Sequence, residues 1–220
     1  MATSLDLQEQ EQIDDLKAFW KRYGNWITWL LIAVLAGFAG WNGWNWYQRE
    51  QAVKAGALFD ELDRTVLAGD VDRAARVFGD LRDRYPGTAW TAQAGLVVAR
   101  LQHERAKADD AIATLAWVAE KGADAGLQAV ARLRLAGLHL EAGRHDAALQ
   151  ALAAVKAPGF DGLVADRRGD VLKAQGKPAE AVEAYRSAHK ALAESSDYRR
   201  VVEAKLTALG VALPATPAKP

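Results

Sequence analysis

Cysteine is absent from this 220-residue chain. That excludes a disulfide framework, a thiolate zinc site, a cysteine nucleophile and a bacterial lipoprotein, whose acyl groups sit on an N-terminal cysteine. Neither sign of charge is in surplus: 28 Lys and Arg balance 28 Asp and Glu. A nucleic-acid binder would carry a basic excess, so no nucleic-acid partner is expected. Recognised catalytic motifs are missing too. The chain has no HExxH, GxGxxG, Walker loop or GxSxG. His103, His139, His145 and His189 follow no metal-ligand spacing. Asp109 and Asp110 read as the cap and dipole partner of a helix start, and Glu180 and Glu183 as solvated positions. No catalytic residue, metal or cofactor is expected, and the chain is not expected to be an enzyme.

What the chain does contain is one long uncharged run, at residues 23–48. A membrane-spanning helix needs about 20 apolar residues to cross a core about 30 Å thick. Residues 26–47 supply that length, broken only by Thr28, Asn42 and Asn45. Six of the eight tryptophans fall between Trp20 and Trp46. Trp26 and Trp29 mark one end of the run, and Trp41, Trp44, Trp46 and Tyr47 the other. Trp26 and Trp44 stand about 27 Å apart along a helix, the separation of two interfacial aromatic belts in contact with lipid. A cleaved signal peptide would have a basic start, a short apolar stretch and a small-residue cleavage site. Here a leader of about 24 residues carries Asp6, Glu9, Glu11, Asp14 and Asp15. The run therefore reads as an uncleaved signal anchor over residues 25–47.

Lys17, Lys21 and Arg22 precede the anchor, against Arg49 and Lys54 after it. That small bias predicts a cytoplasmic segment at 1–24 and a large domain on the far side of the membrane. Within the span, Ala33, Ala36, Gly37, Gly40 and Gly43 offer small-residue spacings that let a second helix approach. Glycine is common in spanning helices in any case.

From residue 50 onward the composition is helix-forming, dominated by Leu, Ala, Glu, Lys and Arg. An internal repeat emerges around Gly169, with Leu172, Gly176, Ala181, Tyr185 and Ala188 spaced as in a tetratricopeptide unit. The pattern recurs 33 residues earlier at Ala136, Gly143, Ala148 and Leu152. It recurs more weakly, at steps of 37, through Ala99, Ala111, Leu115 and Val118 and through Gly69, Ala74, Phe78 and Pro86.

The expected helices cover 5–22, 24–68, 71–84, 88–105, 109–121, 126–142, 145–154, 161–175, 178–194 and 198–209, with the span free to continue into the first repeat helix. The fold class is all-α: one transmembrane helix, then over 48–212 an α-solenoid of about four tetratricopeptide-like pairs with a C-terminal capping helix. Residues 213–220, with three prolines, are expected to be a disordered tail. Stacked pairs curve around a concave surface lined by the first helix of each pair. The candidates for partner contact there are Phe59, Leu96, Arg100, His103, Leu133, Leu140, Asp166, Asp170 and Lys173.

Several stretches resemble one family. They are Tyr85-Pro86-Gly87-Thr88, Ala131-Arg132-Leu133-Arg134-Leu135-Ala136, Arg168-Gly169-Asp170-Val171-Leu172-Lys173-Ala174-Gln175-Gly176-Lys177 and Ala204-Lys205-Leu206. The opening Gln8-Glu9-Gln10-Glu11-Gln12-Ile13-Asp14-Asp15-Leu16-Lys17-Ala18-Phe19-Trp20-Lys21-Arg22-Tyr23-Gly24 joins them. Together they are similar to the YfgM-type ancillary subunits of the SecYEG translocon, over nearly the whole chain. The resemblance implies a Gram-negative inner-membrane protein with a periplasmic repeat domain, partnered by the SecYEG translocon and a PpiD-type membrane-anchored periplasmic chaperone. Exported polypeptides are a further partner class. A repeat scaffold for another envelope or cell-division assembly is the alternative reading of the residues.

The orientation has a direct test. Added protease should digest the C-terminal domain in spheroplasts, and survival of that domain would overturn a cytoplasmic N-terminus.

Overall fold

A computed structural model describes residues 7–193 and 196–212, with side chains from residue 12 onward. The expected tail at 213–220 lies outside the described residues. Among them the chain forms nine α-helices and no strand. These are α1 (Leu7–Leu67), α2 (Val71–Arg84), α3 (Ala89–Glu104), α4 (Ala108–Lys121), α5 (Ala125–Glu141), α6 (His145–Ala153), α7 (Asp161–Ala174), α8 (Pro178–Ala191) and α9 (Asp197–Ala208). The chain divides into two compact units, Met1–Glu50 and Gln51–Pro220.

In the first unit, the two helices expected at 5–22 and 24–68 are not separated near residue 23; α1 runs through. No proline interrupts this stretch. The Thr28 hydroxyl donates to the Gly24 carbonyl at 2.8 Å, a bond made within helical geometry. The helix is long and apolar enough to cross a membrane. Its large apolar side chains, Trp26, Leu30, Leu35, Phe38 and Trp44 among them, are exposed. A chain this apolar and this unburied finds no core within its own unit.

In the second unit the helices pair: the last turns of α1 with α2, then α3 with α4, α5 with α6 and α7 with α8, and α9 follows. One turn closes the first helix each time. Gly69, Ala106, Gly143 and Gly176 hold left-handed backbone, with φ of 70°, 59°, 69° and 74°. At each, the amide of that residue bonds the carbonyl three back, and the next amide bonds the carbonyl five back. This is the Schellman arrangement, which satisfies carbonyls orphaned at a helix end. The turn recurs after α9 at Gly210, with φ of 79° and Val211 donating to Leu206 at 3.1 Å. The spacing of 37, 37 and 33 residues read from the sequence is the spacing of this turn. Helix α9 therefore ends as a first helix does.

The core is a series of small clusters rather than one mass. Leu62, Phe78, Leu81 and Val98 fill the junction of the first pair with α3. Leu96, Leu115, Val118 and Ala131 join α3 and α4 to α5. Ala136, Leu152 and Val171 join α5 and α6 to α7. Leu172, Tyr185, Val202 and Leu206 join the last pair to α9. Each pair thus covers its apolar face with the next.

Close crossing needs missing side chains at particular points. A Cβ on Gly169 would stand 2.4 Å from the buried Tyr185 ring, and one on Gly95 would stand 2.3 Å from Val118 Cγ2. The left-handed Ala106 is the one departure from glycine among the four intra-pair turns, at a steric cost of roughly 1 kcal/mol. Urea unfolding should therefore separate two substitutions by sign. Ala106→Gly should raise stability by about 0.5–1 kcal/mol. Gly169→Ala should lower it by about 1–3 kcal/mol despite the better helix propensity, because the Tyr185 ring has no room to retreat.

Candidate functional site

The first helices α3, α5 and α7 lie side by side and bound an open groove of about 540 Å³. Its apolar lining comes from Ala99 and Leu115, from Val130, Leu133 and Leu138, and from Phe160 and Leu163. Gly137 leaves a gap in the α5 wall: an added Cβ there meets nothing within 4 Å. Polar groups stand among the lining residues: Arg100, His103, Arg134, Glu141 and Arg167. His103 Nε2 lies 3.4 Å from Glu141, bridging α3 and α5. Arg100 Nε pairs with Glu104 at 3.1 Å. Arg134 Nη1 donates to the Leu96 carbonyl at 3.1 Å, and Arg167 Nη1 lies 3.6 Å from Asp170. Each guanidinium has five N–H donors, so each keeps others for a ligand.

Of the residues expected to contact partners, the structure brings Arg100, His103 and Leu133 together in this groove. Leu96 is buried in the α3–α5 junction. Phe59 packs half-buried on Trp90, ring centroids 5.1 Å apart. Leu140 is half-buried against the α5–α7 cluster, and Lys173 is exposed outside the groove. Arg134, Gly137, Phe160, Leu163 and Arg167 were not singled out from the sequence. Arg134 and Arg167 each lie nine residues before their Schellman glycine, so the repeat register itself held that signal.

Asp166 and Asp170 are used inside the fold. Asp166 is fully buried. Both its oxygens accept from Lys205 Nζ at 2.8 Å, and Oδ2 also accepts from the Tyr198 hydroxyl at 2.7 Å. Asp170 Oδ1 accepts from Lys205 at 2.8 Å and from the Tyr185 hydroxyl at 2.8 Å. Lys205 Nζ also lies 5.4 Å from the centroid of the Tyr185 ring. The carboxylates of α7 are thereby tied to α8 and α9. A second clasp joins α8 to α9, where His189 Nε2 lies 2.9 Å from Glu203 and 3.0 Å from Arg199 Nε.

Elsewhere, Asp109 and Asp110 fall inside the first turn of α4, after an N-cap, Lys107, that makes no side-chain capping bond. They face the helix dipole without capping it. Glu183 pairs with Arg186 at 2.8 Å on an exposed face. Among the described residues no group of three or more His, Asp or Glu is placed to hold a metal ion.

Paired helices, a Schellman turn per repeat and nearest-neighbour clusters define a tetratricopeptide-like α-solenoid preceded by an apolar helix. The tetratricopeptide repeat-like domain family matches residues 17–211. The chain is 31% identical to the ancillary SecYEG translocon subunit of Neisseria gonorrhoeae, over 92% of this chain and 98% of that protein. It is 28% identical to the protein of the same name from Haemophilus influenzae, over 83% of this chain and 89% of the other. Among solved structures, nearly identical TPR-like repeats of the kinesin light chain type from Podosopora anserina superpose with a TM-score of 0.52. That likeness has 15% identity over 71% of this chain and 85% of that one, and concerns the fold. The chain belongs to the YfgM-type family of ancillary SecYEG translocon subunits.

The seam at Asp166 has two measurable consequences. Lys205→Met removes the cation from a buried carboxylate and should cost about 3–5 kcal/mol in urea unfolding. Burial, then its bond to Asp166, raises the Tyr198 hydroxyl from its ordinary 10.0 to about 12. A raised pKa stabilises the fold fully below pH 10 and loses that stability as pH climbs through 12. Burial and Asp170 raise Tyr185 as well. Thermal midpoints should therefore fall between pH 10 and pH 12, and fall less steeply in Tyr198→Phe.

Proposed function

We propose that this protein is a non-catalytic, membrane-tethered scaffold that associates with the SecYEG translocon and presents its groove to a partner on the far side of the inner membrane. The observation that carries this reading is near full-length kinship with proteins named ancillary SecYEG translocon subunits. The groove supplies the surface such a role needs, and the uncharged run of α1 supplies the tether.

In this reading residues 1–24 are cytoplasmic, 25–47 cross the membrane once and 48–212 are periplasmic. Trp26 and Trp29 sit at one lipid interface and Trp41, Trp44, Trp46 and Tyr47 at the other. Ala33, Ala36, Gly37, Gly40 and Gly43 form the face that meets another spanning helix. The groove partner is a PpiD-type membrane-anchored chaperone, or the exported chain it handles. Tethering both components in one membrane makes the contact nearly intramolecular. A groove of modest intrinsic affinity is then occupied most of the time.

Photocrosslinking in intact membranes tests this. A benzophenone side chain at Ala36 should capture a translocon subunit, and one at Leu163 should capture the chaperone. Recovery of neither from either position would overturn the proposal.

A further inference from the structure

The groove between α3, α5 and α7 has a donor-rich lining over an apolar floor, and we propose that its occupant is an extended acidic–apolar peptide segment. This deepens the scaffold reading above and rests on it for biological context; the chemistry rests on the groove alone.

Three guanidiniums, Arg100, Arg134 and Arg167, line the groove, against one carboxylate, Glu141. Glu141 already faces His103 at 3.4 Å. Each arginine commits one nitrogen within the fold, Arg134 to a carbonyl and the others to carboxylates. Arg100 and Arg134 are exposed, so their remaining N–H groups are open to solvent and to the acceptors of a ligand. A ligand that brings carboxylates meets planar donors suited to bidentate pairing. A ligand that brings ammonium groups does not.

Size and shape point to a polypeptide. Neighbouring helices pack about 8–10 Å apart, so three in a row span about 20 Å. An extended chain rises about 3.3 Å per residue, so about six residues cross that width. Alternate side chains of such a segment fall on opposite sides. Apolar ones enter between Leu133, Leu163 and the gap at Gly137, and acidic ones reach the arginines. A volume of about 540 Å³ holds two or three large side chains with room left over.

The experiment uses the full-length protein in detergent micelles and three fluorescein-labelled ten-residue peptides: alternating Leu and Glu, alternating Leu and Lys, and alternating Ser and Glu. The Leu–Glu peptide should bind saturably and at least tenfold tighter than either of the others. Gly137→Leu puts a side chain into the gap, where its Cβ meets nothing within 4 Å. It should weaken binding at least tenfold while leaving the thermal midpoint unchanged or higher. Arg100→Glu, on an exposed side chain, leaves two arginines against two carboxylates in the lining and should sharply narrow the wild-type preference for the Leu–Glu peptide. Equal binding of the Leu–Lys and Leu–Glu peptides would overturn the proposal. So would wild-type affinity in Gly137→Leu, or a groove that takes up oleate and no peptide. Lost translocon crosslinks with peptide binding intact would remove only the tethering reading; the converse result would remove only this one.

Discussion

Every helix pair in residues 51–212 has an apolar face that only the next element of the stack can cover: the next pair or, for α7 and α8, the helix α9. Leu81 and Phe78 are dry because α3 lies on them, and Val171 is dry because α7 is stacked on α5 and α6. Stability is then close to a sum of neighbour junctions rather than the property of one core. Such a stack must control the angle at each turn, since an error repeats along it. The left-handed residue that ends each first helix does so, and Gly95 and Gly169 let the helices within a pair close up.

A stack built on neighbours also has to end. Helix α9 has the position and the closing turn of a first helix. It meets α7 through Lys205 and Tyr198, and α8 through Glu203 and Arg199. A fully buried carboxylate costs a great deal in isolation. Asp166 is tolerated because an ammonium and a phenol both reach it. Those directional contacts pin α9 in one orientation, where apolar contact alone would permit sliding. The two aspartates most polar in the first-helix register therefore serve the end of the solenoid, and the open groove is left to α3, α5 and α7.

Family membership and groove chemistry answer different questions. Relatedness to translocon subunits of Neisseria gonorrhoeae and Haemophilus influenzae locates the chain among proteins of protein export. It says nothing about what fills a particular surface. The groove lining, in which Leu133, Leu138 and Leu163 stand with three arginines, bears on partner selection through ordinary complementarity.

Local chemistry made much of the fold readable in one dimension. An uncharged stretch flanked by tryptophans announces a helix suited to lipid, since transfer energies act residue by residue. Gly69, Gly143 and Gly176 announce three of the four intra-pair turns, since left-handed backbone is a single-residue preference, while Ala106 carries no such signal. The helix boundaries followed within a few residues, except that the break expected near residue 23 is absent from α1. What only the tertiary structure decided was the use of side chains on the first-helix faces. Arg100 and Asp170 hold equivalent places relative to their turns, yet one is exposed at the groove and the other is drawn into the α9 seam. The difference comes from Lys205, which lies 35 residues beyond Asp170 and approaches only once the stack has closed. Periodicity can say which face a residue occupies; it cannot say which distant cation will arrive there.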